Sequence, residues 1–522
     1  MSTTSVISHD VVVVGAGPAG LTAAISLARH GVSVLVVEKH RGTSPFPKAT
    51  GVSTRTMELL RTWGIDQQVR AGAIGVQPLL SVSSTLSAPV QLTVPFGYPT
   101  DEQALAVSPV TPTCVPQDHL EPVLLDLLIS CGGTVRFGTE LTALHTGSVG
   151  VRAELLDSVT GRRLQVKARY LIGADGPYSK VRDELGIAVE DLGSIGDFIS
   201  VTFRADLTAR LGRTPSALNA VMVDGAEGLF VPTSADDRWI FAREWHPEAG
   251  ETMADWSPAR IIAMLRAGTG LPDLQADVES VMSFEMAGHL AVAFRSGPAF
   301  LVGDAAHRTT PVGGTGMNTA IAGAHNLGWK MAWVLRGWAD DSLLDSYELE
   351  RRPVGEANVR RSLVRGPQPP ADGLAWDTGV HYASPVIASG AGVGDRAPHV
   401  WVQHRGGAPV STLDLFDGRL TVITGRSGHA WRRAVAALAG EGLPIVALTA
   451  DHDLSGVVST DRSSDTLTSR YQLGDTGAAL IRPDGYLAWH RPSETRNPLL
   501  ALQSAVAVAL SRPDAADLDR VA

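Results

Sequence analysis

Cysteine is the scarcest residue in this chain, which has only Cys114 and Cys131 in 522 positions. Two isolated thiols form neither a disulfide framework nor a cysteine-rich metal cluster, so no metal site is expected. No cysteine lies beyond position 131, which excludes thiol redox chemistry in the C-terminal portion. The simplest interpretation is a protein of a reducing, cytoplasmic compartment.

An excess of basic residues is also missing. The formal net charge is -10, and an acidic chain is a poor partner for phosphate backbones, so no nucleic acid is expected to bind. The first ten residues lack the basic region that opens a signal peptide. Residues 11–28 carry no charge and are long enough to span a membrane, but three glycines and Pro18 interrupt them. A strand, a turn and a helix explain this stretch better than a bilayer does.

The overall composition is that of an ordinary globular protein. Hydrophobic residues make up 44% of the chain and charged residues 19%, which is usual where a substantial core is buried. A chain of this length corresponds to about two to four domains.

The first informative motif is the turn Gly15-Ala16-Gly17-Pro18-Ala19-Gly20. It follows the apolar run Val11–Val14, precedes a helix expected from Pro18 to about His30, and is followed by a second apolar run that ends at Glu38. The first glycine permits the turn, the second lets a pyrophosphate approach the backbone, and the third packs helix on strand. Glu38 is placed to accept hydrogen bonds from a ribose. A glycine-rich turn without a ligand is the alternative.

Two further glycine–acid motifs lie far along the chain. Gly173-Ala174-Asp175-Gly176 follows one expected strand, and Gly303-Asp304-Ala305-Ala306-His307 follows another. Next comes the glycine-rich loop Pro311–Asn318, which opens a helix. Asp304 suits the ribityl hydroxyls of a flavin, and amides at a helix N-terminus stabilise negative charge on the flavin N1–C2 carbonyl. Three such motifs in this order indicate a chain that returns repeatedly to one flavin.

The remaining pattern indicates several regions. Residues 80–116 read as strands and loops, and residues 186–285 alternate in the manner of a β-sheet inserted between parts of the nucleotide domain. Helices are expected at 120–130, 320–335 and 340–361, and a Gly/Pro-rich linker at 366–398. Beyond it, apolar runs at 413–416, 420–424, 445–448 and 478–481 alternate with helical segments, as in a small α/β domain.

These motifs together resemble the class A FAD-dependent aromatic hydroxylases, the para-hydroxybenzoate hydroxylase type, over residues 8–365. Pro47–Ala49, Arg55–Glu58, Asn326–Lys330 and Ser346–Pro353 are closest to the phenol hydroxylases and bacterial aromatic polyketide hydroxylases. Two C-terminal segments, 394–399 and 481–489, resemble the thioredoxin-like tail of that branch.

The resemblance implies an α/β fold: a Rossmann-like FAD-binding domain with an inserted β-sheet substrate domain and a C-terminal thioredoxin-like domain without redox cysteines. The FAD-binding domain then comprises residues 1–185, whose strands near 80–110 contribute to the substrate side, together with residues 286–380. The substrate domain comprises residues 186–285, and the C-terminal domain residues 381–522.

Motifs and resemblance together predict the cofactor site. Pro311 and Gly314 are expected beside the isoalloxazine as the catalytic positions, with no acid or base assigned. The residues expected to bind FAD are Gly15, Ala16, Gly17, Pro18, Ala19, Gly20, Glu38, Lys39, Lys48, Arg55, Gln117, Leu141, Asp175, Gly303, Asp304, Pro311, Gly314, Gly316, Met317 and Asn318.

Substrate contacts are expected from the inserted sheet, where apolar and aromatic residues concentrate. The candidates are Phe203, Met222, Phe230, Phe241, Arg243 and Trp245. We expect fewer than half of the apolar and aromatic ones to touch substrate, since many must be core. An acid or base is suggested by residue type alone at His246, Arg243, Tyr178 and His307.

The implied reaction is hydroxylation of a phenolic or polycyclic, polyketide-like aromatic by NADPH or NADH and O2 through a C4a-hydroperoxyflavin. Lys180 and Arg182 suggest a phosphate contact for NADPH. A Baeyer–Villiger oxygenation on the same scaffold, a flavin oxidase or reductase without oxygen insertion, and a flavin-binding protein with a structural role remain alternatives. No membrane partner is expected, and a homodimer is compatible with the resemblance.

Overall fold

The structure is a computed structural model that describes residues 5–95, 97–364, 373–404, 408–449, 457–459 and 467–512. Its first part alternates short strands and helices. They are β1 (Ser5–Ser8), β2 (Val11–Val14), α1 (Pro18–Ala28), β3 (Val34–Val37), β4 (Gly51–Val52), α2 (Thr54–Thr62), α3 (Asp66–Arg70), β5 (Gln77–Ser83), β6 (Leu92–Pro95), α4 (Asp101–Leu105), β7 (Thr113–Cys114), α5 (Gln117–Ser130), β8 (Thr134–Arg136), β9 (Thr139–Gly147), β10 (Gly150–Asp157), β11 (Arg163–Ala168), β12 (Tyr170–Gly173) and α6 (Lys180–Glu184).

Longer elements follow in the middle of the chain. They are β13 (Val189–Arg204), α7 (Leu207–Leu211), β14 (Ser216–Val221), β15 (Gly228–Pro232), β16 (Arg238–Glu244), α8 (Pro258–Thr269), β17 (Asp277–Ala291), β18 (Arg295–Ser296), β19 (Ala299–Leu301), β20 (His307–Arg308), α9 (Gly316–Leu335) and α10 (Asp345–Ser362). Short 3-10 turns occupy Pro247–Ala249, Met253–Asp255, Gly303–Ala305 and Asp341–Leu344.

A central sheet brings the three glycine–acid motifs together. Its parallel strands lie in the order β19, β12, β2, β3, β8, with β18 as an antiparallel edge. β2 is four buried valines, because a strand covered on both faces has no position for a polar side chain. The register aligns Val14 with Val37 and Gly173, and Gly173 with Leu301. The residues that follow these four therefore meet at the carboxyl edge, where parallel sheets bind ligands.

The inserted sheet is larger than the alternating segment alone. Its eight strands lie in the order β20, β17, β13, β16, β15, β14, β5, β6, so residues 77–95 join it through a parallel pairing of β5 with β14. Helix α8 packs on one face and forms a core with it. The expectation of strands and loops at 80–116 needs one correction: Asp101–Leu105 is a helix, because Thr100 and Gln103 form a capping box at its start.

The C-terminal part contains α11 (Gly373–Thr378), β21 (Trp401–His404), β22 (Pro409–Ser411), β23 (Leu420–Thr424), α12 (His429–Gly440), β24 (Ile445–Thr449), β25 (Val457–Ser459), α13 (Leu467–Arg470), β26 (Ala478–Ile481), β27 (Leu487–Arg491) and α14 (Pro498–Ala509). A mixed sheet runs β24, β23, β26, β27, with β23 parallel to β24. Of the expected linker, residues 366–372 lie outside the described residues and 373–378 are helical.

One strand expected in this part is wrong. Thr412–Leu415 is a 3-10 turn, because the Ser411 hydroxyl accepts the amide of Leu413 and Asp414 completes a capping box. An apolar run of four residues cannot distinguish the two outcomes. Within the described ranges, no helix is both long and apolar enough to cross a membrane.

Candidate functional site

The turn after β2 contains two kinds of glycine. Gly15 and Gly20 are required by close backbone packing, whereas Gly17 borders open space. A Cβ on Gly15 (φ 106°) would strike the carbonyl of Ala174, and one on Gly20 would strike the carbonyl of Gly15. A Cβ on Gly17 would meet nothing within 4 Å. Gly17 is also the N-cap of α1, with Pro18 in the first turn and no side chain capping it. The first amides of α1 therefore face a cradle that fits a pyrophosphate.

Glu38 lies beside this cradle at the end of β3. Its Oε2 accepts the amide of Ala16 at 2.9 Å and its Oε1 that of His40 at 2.9 Å. Each oxygen keeps a lone pair for an outside donor. These two hydrogen bonds fix the carboxylate beside the glycine turn, while Lys39 is exposed.

Asp304 stands in the 3-10 turn at the end of β19. Its carboxylate is exposed to solvent although many protein atoms surround it, and it has no hydrogen-bond partner among the described residues. This enclosure raises its pKa to about 6, although Arg308 and Lys48 both oppose the rise. Gly303 (φ 61°) lets the turn approach α1, since a Cβ there would lie 2.9 Å from Ala19. Asp304 is thus a well-placed acceptor without a donor from the protein.

The loop before α9 is fixed by one amide side chain. Asn318 Nδ2 donates to the carbonyls of Gly51 at 3.0 Å and Gly314 at 3.1 Å. Its Oδ1 accepts the Ser53 amide at 2.9 Å and the Thr56 hydroxyl at 2.8 Å. The Asn318 side chain is therefore occupied by protein and positions the loop.

Other predicted loop residues differ in exposure. Pro311 is exposed, while Gly316 and Met317 are half-buried. Gly314 adopts a φ of 63°, which favours glycine. The hydroxyl of Tyr98 donates to the Gly314 carbonyl at 2.7 Å.

Lys48 lies near the Asp304 and Glu121 carboxylates and Gln117 contacts Glu121, whereas the Leu141 side chain is buried in the core. The Lys48 ammonium is near enough to Asp304 and Glu121 to oppose the rise in both pKa values that burial causes. Gln117, first residue of α5, donates its amide to Ala49 and its side chain to Glu121 at 2.6 Å. Leu141 is 2% exposed within the core, so only its main chain is available to a cofactor.

Two predicted cofactor ligands have protein partners of their own. The Asp175 carboxylate accepts the Ser179 hydroxyl at 2.5 Å and the Val181 amide at 3.0 Å, at the start of α6. Arg55 lies in α2 and donates to the Asp484 carbonyl at 2.6 Å and to Glu58 at 2.9 Å, which links α2 to the C-terminal part. A contact of either residue with FAD stays a prediction.

Most of the predicted substrate residues lie on the covered face of the inserted sheet. Phe203, Phe230 and Phe241 are at most 1% exposed in the core beneath α8. Arg243 and Trp245 follow Phe241 at every second position and so point to the same face. Phe203, Phe230 and Phe241 therefore belong to the members of this set that form core, whereas substrate contact by Arg243 and Trp245 stays a prediction. Residue type alone does not tell one face of a strand from the other.

The sixth candidate, Met222, follows β14 and is 63% exposed. The opposite, open face carries half-buried apolar side chains in one register. They are Leu80, Val82, Leu218, Ala220, Leu229, Val231, Ile240 and Ala242. Arg238 shares this face and donates to the carbonyl of Pro45 at 2.9 Å and to Asp118 at 2.5 Å. The open face thus lies toward the Lys48 segment and the start of α5.

The acid/base candidates named by residue type are scattered. His307 is buried and packs on Phe294 and Gly355, and His246 is exposed beside Glu248. Tyr178 is 81% exposed under Arg308. Arg182, suggested for a phosphate, is buried and donates to the carbonyls of Ala305 and Pro177, while Lys180 is exposed.

Sequence reasoning missed several residues of this site. Tyr98, Glu121 and Arg308 lie outside any glycine motif, and their roles depend on contacts between distant segments. The open sheet face could have been found from the sequence, since Leu229 and Val231 alternate with Phe230 across β15. Among the described residues, no group of three or more His, Cys, Asp or Glu is arranged to hold a metal ion.

Known proteins resemble this chain along nearly its whole length. Residues 8–362 match the model of the FAD binding domain family, and residues 391–513 that of the aromatic-ring hydroxylase C-terminal family. An aklavinone 12-hydroxylase of Streptomyces purpurascens is 34% identical, with 96% of this chain and 99% of that protein covered. A tetracenomycin A2 monooxygenase-dioxygenase of Streptomyces glaucescens is 35% identical, with 96% and 97% covered.

A solved structure agrees with these relatives. The ternary complex of aklavinone-11 hydroxylase with FAD and aklavinone has a TM-score of 0.87 and 32% identity, and the match covers 98% of this chain and 100% of that one.

Proposed function

The chain belongs to the FAD-dependent aromatic-ring hydroxylases, and from that membership we propose that it hydroxylates a phenolic or polycyclic aromatic substrate with NADPH or NADH and O2. The family and the monooxygenase class predicted from the sequence are confirmed by these relatives. The observation that supports the proposal most is the carboxyl edge of the central sheet, where the amides after Gly17, the Glu38 carboxylate and the exposed Asp304 carboxylate lie at the ends of neighbouring strands.

The residues present fit FAD. The amides that start at Gly17 would bind the pyrophosphate, Glu38 the adenosine ribose, and Asp304 the ribityl chain. The loop amides near Gly314 would stabilise charge at the pyrimidine edge. Lys48 lies by Asp304 and would keep that carboxylate ionised. The chemistry that FAD supplies when bound is electron transfer from NAD(P)H and activation of O2.

The open face of the inserted sheet supports the substrate class. Its eight apolar positions, from Leu80 to Ala242, form a half-buried surface that would exclude water from a flat ring system. None of these eight positions is titratable, and Arg238 at the edge of the same face is paired with Asp118 and Glu279, so the sheet favours an uncharged polycyclic ligand. The structural relative was solved with FAD and aklavinone bound.

The decisive experiment is oxygen labelling. The purified, FAD-loaded protein would be offered phenols and polycyclic quinones under ¹⁸O2, with NADPH or NADH, while cofactor oxidation and product mass are followed. We expect a ligand that accelerates NAD(P)H oxidation to gain one labelled oxygen as a hydroxyl. Hydrogen peroxide with unlabelled product would show an oxidase, a labelled ester would show a Baeyer–Villiger outcome, and no stimulation by any ligand would favour a structural flavoprotein.

Neighbouring residues on β16 provide a matched test of the substrate face. Ile240→Trp would fill the open face and is expected to raise the KM of a polycyclic substrate about tenfold, the effect of losing about 1.4 kcal/mol of binding. Phe241→Leu changes the covered face and is expected to lower thermal stability while KM stays the same. The reverse pattern would place the substrate elsewhere.

Domain assignment is part of the same proposal. We assign residues 1–185 and 286–380 to FAD binding, 186–285 to the substrate sheet, and 381–522 to a thioredoxin-like domain that serves a structural role. The mixed sheet of β23, β24, β26 and β27 with helices α12 and α14 supports that assignment. Light scattering of the purified protein would test the homodimer.

A further inference from the structure

Helix α2 is tied to the C-terminal part along one stripe. Arg55 donates to the Asp484 carbonyl at 2.6 Å. The Glu58 carboxylate accepts two hydrogen bonds from the Arg396 guanidinium, one from Nε at 2.9 Å and one from Nη2. Arg61 donates to both oxygens of Asp414 at 2.8 and 3.0 Å. Positions 55, 58 and 61 are three residues apart and so follow one side of a helix.

The first turn of α2 is hydrogen-bonded to Asn318, the last residue of the glycine-rich loop Pro311–Asn318. The Ser53 amide and the Thr56 hydroxyl both donate to Asn318 Oδ1. The other end of that amide, Nδ2, donates to Gly314 and Gly51. A rotation or shift of α2 would therefore move Asn318 or break its contacts, and the glycine loop would move with it.

Glu58 is the buried carboxylate of α2 that contacts the C-terminal part, through Arg396. It is 2% exposed and contacts both Arg396 and Arg55. Burial alone would raise the pKa of this carboxyl, but the two guanidinium groups hold it below its usual value. Removing one partner of a buried ion pair costs more than the pair contributes, because it leaves an uncompensated charge.

We propose that Glu58 is a positioning residue: through Arg396 it fixes α2 in the register at which Thr56 and Ser53 hold Asn318, and so sets the glycine loop against the flavin. This inference rests on the proposed role of that loop in FAD binding. It gives the C-terminal part, which has no cysteine, a role in the active site that needs no redox chemistry.

Glu58→Gln tests the inference, and Arg61→Gln is its matched control on the same stripe. The full chain would be stripped of FAD and titrated with FAD, and the absorbance spectrum and midpoint potential of the bound flavin would be recorded beside the melting temperature. We expect Glu58→Gln to weaken FAD binding about tenfold, the scale of coupling through packed neighbours, and to shift the spectrum. Arg61→Gln is expected to lower the melting temperature alone.

Asn318→Ala completes the test as a double-mutant cycle. Because Glu58 is argued to act through Asn318, the double variant is expected to bind FAD no more weakly than Asn318→Ala does. If the effects of the two substitutions on FAD affinity multiply in the double variant, the proposal that Glu58 acts through Asn318 is overturned. A Glu58→Gln protein with unchanged FAD affinity and spectrum would overturn it as well. If Glu58→Gln does not fold, Arg396→Lys, which keeps the charge and loses the fork, replaces it with the same two criteria.

These measurements involve no turnover. A chain that fails to hydroxylate any aromatic but follows the expected FAD pattern would overturn the proposed activity and leave this inference standing.

Discussion

Two carboxylates that look alike in the sequence end up in opposite situations. Asp175 and Asp304 each follow a strand of the central sheet, within a glycine-rich turn. Asp175 accepts hydrogen bonds from Ser179 and Val181 of its own turn. Asp304 accepts no hydrogen bond from the part of the chain that the structure describes, and it is exposed to solvent.

The difference shows which carboxylate the protein itself uses. Asp175 is held by hydrogen bonds within its own turn, whereas the exposed Asp304 carboxylate is left to solvent or to a ligand, which is why we propose it for the cofactor. The glycines divide in the same way: Gly20 is required by the backbone of Gly15, while Gly17 borders open space. Within each motif, the groups that the fold does not use are the ones we propose for the cofactor.

The glycine pair carries the largest expected effect. Gly20→Ala drives a Cβ into the Gly15 carbonyl, a backbone atom that cannot move aside, and we expect a loss of about 4 kcal/mol of stability or no folded protein at all. Gly17→Ala, at a φ of -75° that alanine adopts freely, should leave the apo-protein's melting temperature unchanged and weaken FAD binding.

Thermal unfolding of both apo-proteins, followed by FAD titration, measures these two effects. A folded, FAD-binding Gly20→Ala variant would show that the turn is less rigid than its geometry indicates.

Asp304→Ala is expected to cost roughly 3 kcal/mol of FAD binding, or about a hundredfold in Kd, because hydrogen bonds to a charged acceptor are lost. The apo-protein should be no less stable, since this carboxylate has no hydrogen-bond partner among the described residues. Fluorescence titration of the apo-protein with FAD gives the Kd. An unchanged Kd would move the ribityl chain away from this turn.

Asp175→Ala should do the reverse. Loss of the acceptor of Ser179 and Val181 leaves two donors without a partner and is expected to lower the free energy of unfolding by about 2 kcal/mol, measured by denaturant unfolding of the apo-protein. Burial raises the pKa of this carboxyl, so the hydrogen bonds and not the charge carry the effect. FAD affinity should stay within about twofold of that of the unmodified chain, which corresponds to a few tenths of a kcal/mol. A Kd change as large as that of Asp304→Ala would return Asp175 to the cofactor site.

The central sheet and its motifs were predictable because their signals are local. A strand buried on both faces must be apolar throughout, as Val11–Val14 and Tyr170–Gly173 are. The structure confirms these strands and a helix from Pro18, which ends at Ala28 rather than His30. Motif order along the chain was enough to indicate the flavin.

The errors concern information that is not local. Phe241 and Ile240 are adjacent in sequence. Only the pairing of β16 with its neighbours shows that Phe241 packs under α8 while Ile240 lies on the open face of the sheet. The resemblance implied a cofactor contact for Arg55, but it did not reveal that this side chain donates to the Asp484 carbonyl, 429 positions away. Residue type indicates which chemistry is available, and tertiary contacts decide where it is used.

His307 gives the smallest expected effect and supplies the third case in the comparison. It follows the Asp304 turn, its Nδ1 has no hydrogen-bond partner in the described part of the chain, and it is 2% exposed. Burial, with the nearby Arg351 charge second, lowers its pKa to about 4. Between pH 6.5 and 4 the unfolded chain binds a proton at this ring and the folded chain does not, so stability falls as pH falls through this window.

From pH 7 to pH 5.5, His307 is expected to contribute a loss of about 1 kcal/mol, given 1.36 kcal/mol per pKa unit. His307→Asn removes this titration, so its free energy of unfolding should fall less steeply over the same interval in denaturant unfolding of the apo-protein. Other histidines titrate equally in both proteins and cancel in the difference. Identical slopes would mean that the ring binds protons equally in the folded and unfolded states. A buried, unpaired group such as His307 costs stability, whereas the exposed Asp304 carboxylate keeps water as a partner, so only the second can be kept free for a ligand without destabilising the apo-protein.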